Sequence, residues 1–157
     1  MSAEIDRRAL AHDLRAAIDG EVRFDTGARA LYATDASNFR QPPIGVVIPR
    51  TLDDVVAVQR VCREHGAPIV NRGCGTSLSG ETVNVAVVID HSKYLTAIGD
   101  PDTVTQTVLV EPGAINEKVN EHTAKWGLIF GPDPSTHAYC TIGGNVGNNS
   151  CGTHSVQ

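Results

Sequence analysis

The chain has 157 residues, enough for one domain with a real core, and an ordinary globular composition of 41% apolar and 20% charged residues. Its formal charge of −5 argues against a nucleic-acid-binding surface, which is normally basic. No apolar run is long enough to span a bilayer, and an N-terminus carrying Glu4, Asp6, Arg7 and Arg8 lacks the apolar core of a secretory signal. Without such a signal, Cys62, Cys74, Cys140 and Cys151 read as reduced thiols.

Residues Ala3 to Asp19 read as a helix with an apolar stripe of Leu10, Leu14, Ala17 and Ile18, and Gly20 is placed to end it. Glu21 to Phe24 is a short strand candidate and Gly27 to Ala33 a short helix. Asp35 to Pro43, with Asn38, Gln41 and the Pro42–Pro43 pair, is a loop. Val46 to Ile48 is a strand bounded by Pro49. Thr51 then caps a helix, with Asp54 as a weak capping-box partner, and its apolar arc runs through Leu52, Val55, Val58, Val61 and Cys62. Gly66 ends that helix and Ile69–Val70 begins a strand parallel to the first, making a right-handed β-α-β unit. Ala86 to Asp90 is an unalternating apolar strand, buried on both faces. Val104 to Glu111 alternates instead and predicts an antiparallel strand with one face on the core. Ile115, Val119, His122 and Trp126 share one face of a last helix, closed by Gly127. From Gly131 onward no period survives, which predicts a long ordered loop region.

The β-α-β unit delivers Arg72-Gly-Cys-Gly-Thr-Ser-Leu-Ser-Gly80 to the carboxyl end of a strand, where open α/β sheets place ligand loops. Glycines there let backbone N–H groups converge on an anion, while Thr76, Ser77 and Ser79 add hydroxyl donors and Arg72 a fixed charge. The stretch is not a Walker loop, having no lysine, and Leu78 breaks the dinucleotide fingerprint G-x-G-x-x-G. Taken alone, the glycine cluster reads equally as a flexible surface turn. A second cluster of the same character follows at Gly131-Pro-Asp-Pro-Ser135, Thr141-Ile-Gly-Gly-Asn145 and Asn148-Asn-Ser-Cys-Gly152, and two such loops suggest a long ligand held from two sides.

With VVIDHSKYL, VEPGAIN, FGPDPSTH and CTIGGNVGNNSCG in order after RGCGTSLSG, residues Ile44 to Val156 resemble the FAD-binding domain of the vanillyl-alcohol oxidase/p-cresol methylhydroxylase type. The resemblance is nearest to the glycolate oxidase and D-lactate dehydrogenase group. It implies an α+β fold, with a small parallel β-α-β subdomain, the start of a larger mixed or antiparallel one, and FAD between them. It also implies a division into an N-terminal helical lead-in, residues 1–43, and an FAD-binding domain, residues 44–157, incomplete at its C-terminal end.

For the site, the resemblance implies a first cofactor-binding group of Asn71, Arg72, Gly73, Cys74, Gly75, Thr76 and Ser77, in which Gly73, Gly75, Thr76 and Ser77 contact the pyrophosphate. A second group is Pro132, Asp133, Pro134, Ser135, Thr141, Gly143, Gly144, Asn145, Asn148, Asn149 and Gly152. Some of these only shape the loops. Thr76 occupies the region where some relatives carry a flavin-tethering histidine, so the implied FAD is non-covalent. His137-x-x-Cys140 and Cys151-x-x-His154 have zinc-ligand types, but they fall inside the flavin loops, and no metal is expected. His137 and His154 are candidates for moving a proton beside the flavin, against the simpler reading of histidines bonded to their own loop. His122 reads as a partly buried packing residue.

The implied activity is oxidation of a 2-hydroxy acid of the D-lactate or glycolate kind, with electrons passed to a further acceptor. The alternative is a non-catalytic module that needs a partner chain to complete the flavin domain. Expected partners are a small-molecule substrate and a C-terminal cap or iron–sulfur domain or subunit. No catalytic residue is assignable, and the expected location is cytoplasmic, with a peripheral seat at the inner face of the membrane as the variant.

Overall fold

The computed structural model describes residues 5–152. Helix α1 spans Arg7–Ala17, so the start foreseen at Ala3 lies outside the described residues. Asp6 caps it, its carboxylate accepting from the N–H groups of Arg8 and Ala9. The helix stops three residues before Gly20, because Ile18 is already extended. Strand β1 (Glu21–Arg23) and helix α2 (Thr26–Leu31) follow, and then β2 (Gly45–Ile48), α3 (Leu52–Glu64), β3 (Ile69–Arg72) and β4 (Val87–Asp90).

The four strands form one mixed sheet in the order β1-β2-β4-β3. Strand β1 runs antiparallel to β2, while β2 and β3 each run parallel to β4. The two strands of the foreseen β-α-β unit are therefore parallel but not neighbours. The later strand β4 inserts between them, and its four buried residues are covered by a strand on either side as well as on both faces.

Strand alternation splits the core in two. Val47, Val87 and Ile89 face Leu10 and Leu14 of α1 and Val58, Val61 and Cys62 of α3. Val46, Ile48 and Val88 face the other way, against Tyr32, Val70 and Tyr94. Fully burying each such side chain is worth about 1.5–3 kcal/mol, so α1 and α3 are fixed chiefly by this layer. The apolar arc of α3 is narrower than its sequence suggests, since Leu52 is 63% exposed.

The foreseen capping box takes another form. Thr51 Oγ1 does accept the Asp54 N–H at 3.1 Å. The Asp54 carboxylate, however, reaches past the cap to the N–H groups of Arg50 (2.7 Å) and Asp19 (3.0 Å), tying the α3 N-terminus to the end of α1.

Two further expectations are corrected. Val104 to Glu111 is not a strand on the core: Val104 and Leu109 are 91% and 86% exposed. Asp102 captures the N–H groups of Val104 and Thr105, which bends the chain into a turn. What remains is an irregular antiparallel ribbon, with isolated bridges at Asp102–Thr107 and Ile98–Val110. The foreseen last helix is α4 (Asn116–Thr123) with a 3₁₀ turn, Ala124–Trp126, ended by left-handed Gly127. Beyond it the supposed loop region contains helix α5 (Ile142–Gly147). Its three glycines hide it from any propensity argument. The Thr141 hydroxyl caps it, and the N–H groups of Ile142 and Gly143 are pinned to Ala114 and Pro112 carbonyls at 2.8 and 2.9 Å.

Candidate active site

Parallel strands β3 and β4 end side by side at Arg72 and Asp90, which are register partners. By alternation both point to the face that carries Tyr32. The Tyr32 hydroxyl donates to Asp90 Oδ2 at 2.5 Å, and the Arg72 guanidinium lies 5.3 Å from the Tyr32 ring centroid. Arg72 Nη1 donates to Thr34 O (2.9 Å) and Thr82 Oγ1 (3.3 Å), and Thr82 donates to Asp35 at 3.0 Å. Burial first, and then Asp90, raise the Tyr32 pKa, so this phenol stays protonated. Arg72 is thus a strut between the glycine loop and the segment at 32–35 as well as a charge at the rim.

The loop leaving β3 turns at Gly75, whose φ of +69° is left-handed. A Cβ there would lie 2.4 Å from Arg72 Nη2, so only glycine leaves room for the strut. Gly73 has the other requirement, close approach: its Cβ would stand 2.1 Å from Thr141 Oγ1. This contact joins the first glycine segment to the cap of α5. Ser77 Oγ donates to Glu81 at 2.7 Å and receives the Ser79 N–H at 3.2 Å, which closes the loop's far end.

Between these walls runs a cleft of about 250 Å³. One wall is Gly73, Cys74, Gly75, Thr76 and Ser77; the other holds Thr141, Gly144, Asn145 and Asn148. A second hollow of about 560 Å³ opens beside it, with Asn71, Arg72, His91, Pro112 and Gly143 among its lining. The two expected loops therefore meet. Asn145 is 5% exposed, yet its Nδ2 has no hydrogen-bond partner. A buried amide donor with no acceptor costs about 1–3 kcal/mol, and this one belongs to a cleft-lining residue.

His91 Nε2 pairs with Asn71 Oδ1 at 3.0 Å, and burial holds this imidazole below its ordinary pKa despite the opposing Asp90 charge. His137 bonds its own loop, with Nδ1 3.2 Å from both Pro134 O and Asp133 Oδ1. His122 packs on Trp126 with ring centroids 5.5 Å apart. Among the described residues no group of three or more His, Cys, Asp or Glu could hold a metal; His154 lies outside them.

Not every expected residue reaches the cleft. Pro132, Asp133, Pro134, Ser135, Asn149 and Gly152 line neither hollow. Among them, Pro132 O accepts from Asn116 Nδ2 at 2.9 Å, and Gly152 packs on the Asp133 backbone. Sequence reasoning missed Glu81, Thr82, Thr136, Cys140 and His91, which do line the hollows. Thr82 and Glu81 directly follow the glycine loop, and that adjacency was the available signal.

Residues 43–157 match the family model described as FAD binding domain. The chain belongs to this family. Its cofactor is FAD. The chain is 31% identical over 158 aligned residues to glycolate oxidase subunit GlcD of Escherichia coli, covering 98% of this chain and 32% of that protein. It is 28% identical to D-2-hydroxyglutarate dehydrogenase of Haemophilus influenzae, covering 88% of this chain and 14% of that protein. Among solved structures, alkyldihydroxyacetonephosphate synthase superposes with a TM-score of 0.81 at 19% identity, over 92% of this chain and 32% of that one. p-Cresol methylhydroxylase gives 0.75 at 21%, over 88% and 28%. These likenesses agree with the mixed sheet and its flanking helices. The chain therefore spans about a third of the length of the glycolate oxidase subunit it matches. Among the described residues no helix is long and apolar enough to cross a membrane.

Proposed function

We propose that this FAD-binding domain serves a flavin-dependent oxidation of a 2-hydroxy acid of the glycolate, D-lactate or D-2-hydroxyglutarate kind, with the electrons passed to a further acceptor. The observation that carries the binding half is the cleft itself: two glycine-rich walls and an unpartnered buried Asn145 amide. Backbone N–H groups from Gly73 to Ser77 suit a pyrophosphate, a group FMN lacks. Thr141, Gly144, Asn145 and Asn148 are the residues we assign to the other side of the cofactor. When bound, FAD supplies the hydride-accepting chemistry; the protein orients it and screens it from water. The choice of substrate rests on the likeness to the glycolate oxidase subunit and to D-2-hydroxyglutarate dehydrogenase.

FAD is held without a covalent bond, since no histidine lies between Arg72 and Gly80. Acid precipitation of the yellow protein should release all flavin into the supernatant as FAD; colour in the pellet sinks this claim. Asn145→Ala should weaken FAD binding in a fluorescence titration, with FMN binding more weakly than FAD to the parent. Equal affinities throughout would remove the assignment. Anaerobic bleaching of the flavin by one 2-hydroxy acid, in the protein with all its domains, tests the substrate class.

A further inference from the structure

Away from the cleft, α1, the end of β1 and the start of α2 enclose a hollow of about 460 Å³. Arg7, Arg8, Arg15 and Arg29 line it with Phe24 and Thr26, none of them shared with the flavin cleft. In a chain of net charge −5 this is a concentrated positive site. None of the four arginines takes part in an ion pair among the described residues. Arg29 Nε donates to Pro43 O at 2.7 Å and Arg15 Nη2 reaches Val22 O at 3.5 Å, contacts that fix side chains without cancelling charge.

The nearby acids Asp6 and Asp25 form no ion pair with these arginines, although the Arg8 charge acts on Asp6. Asp6 accepts from Ala9 and Arg8 N–H, and Asp25 from Ala28 N–H, and these bonds hold both carboxyls below their ordinary range. Arg7 and Arg8 also open the first turn of α1, which contains no acidic residue. The helix dipole disfavours cations at that end. Arg7 and Arg8 stand at the positive end of α1, whereas Arg15 and Arg29 lie in the last turns of α1 and α2; the four line one concavity as like charges that an anion would relieve.

We infer that this hollow binds a multivalent oxyanion, a small molecule carrying two or more phosphate groups. Arginine forks match phosphate oxygens in pairs, and four arginines lining one depression suit a compact ligand better than a flat surface. Half-buried Phe24 gives the site an apolar wall.

The test is calorimetric titration of tripolyphosphate into the FAD-loaded protein. Saturable one-to-one binding is expected, weakened about ten-fold or more in Arg7→Ala/Arg15→Ala. The doubly lysine-substituted protein should fall between, keeping charge but losing the fork. Gly75→Val, with the flavin cleft spoiled, should bind tripolyphosphate as the parent does, so a failure of the flavin reading leaves this result intact. Absence of saturable binding, parental affinity in the alanine variant, or loss in Gly75→Val instead would overturn the inference. So would attachment to phosphatidylglycerol vesicles with no response to tripolyphosphate.

Discussion

The residue that most constrains the cleft is Gly75. Its left-handed φ of +69° and the Arg72 guanidinium 2.4 Å from its missing Cβ act together. A side chain there costs about 1–3 kcal/mol in backbone strain and also displaces the strut that bridges to Thr34 and Thr82. Gly75→Val is expected to abolish flavin retention after gel filtration, whereas Cys74→Ser, at an exposed position, is tolerated. Equal flavin content in the two variants would count against the loop as a cradle. Tyr32→Phe tests the neighbouring network. Asp90 is buried and would keep the Ser92 N–H and hydroxyl as donors on Oδ1 but none from Tyr32 on Oδ2, so a loss of about 1–3 kcal/mol is expected from denaturant unfolding. At this scale the sequence was legible where chemistry is local. The glycine spacing of 72–80 announced the loop, but the Tyr32–Asp90–Arg72 cluster joins three distant segments and left no local sign.

Among elements, α1 shows how much of the lead-in belongs to the core. Leu10 and Leu14 are fully buried in the same cluster as Val58, Val87 and Ile89. Leu14→Ala should therefore cost about 2–5 kcal/mol in a denaturant titration, as a core truncation does. A cost below 1 kcal/mol would show α1 to be a loose appendage. The strands were readable because buried parallel strands are plain apolar runs. Their order was not, since β4 enters between β2 and β3 through contacts far apart in sequence. Alternation misled at Val104 to Glu111, where the Asp102 side chain competes with strand pairing and wins. Helix α5 was illegible for the opposite reason: tethers from Pro112 and Ala114, not propensity, hold its glycines helical.

At the scale of the whole molecule, Glu21 ties the edge strand β1 to the segment after β4. It accepts from Lys93 Nζ at 2.5 Å and Tyr94 OH at 2.6 Å, and Arg23 adds a third partner. Lys93 and then Tyr94 hold its carboxyl down from 4.5 to about 2. A depressed folded-state pKa stabilises the protein fully above the unfolded value, and that contribution is lost as pH falls from 4.5 toward 2. Glu21→Gln should flatten the loss of stability in this window while changing little of the pH dependence above 6. Superimposable acid limbs for the two proteins would remove Glu21 from the explanation.

The same scale governs turnover. The half of the molecule after β4 exposes Val104, Leu109, Ile129, Tyr139 and Val146 to 70% or more of their surface. Val104 and Leu109 lie in the ribbon and Val146 in α5, whereas strands β2 and β4 of the sheet are fully covered. Exposed apolar surface of this kind favours association. Flavin affinity in residues 1–157 alone has to offset the ordering of both glycine-rich walls with only the contacts present here. We therefore expect this chain, purified by itself and given FAD, to associate in solution and to reduce an artificial dye with glycolate or D-lactate negligibly. Fusing or adding the further domains of a full-length relative should raise flavin retention first and bring turnover second, because the cleft is already shaped while a substrate carboxylate clamp has no assigned residue in this chain. Light scattering that gives a monodisperse monomer, together with steady dye reduction by either acid, would show that residues 1–157 carry the whole reaction.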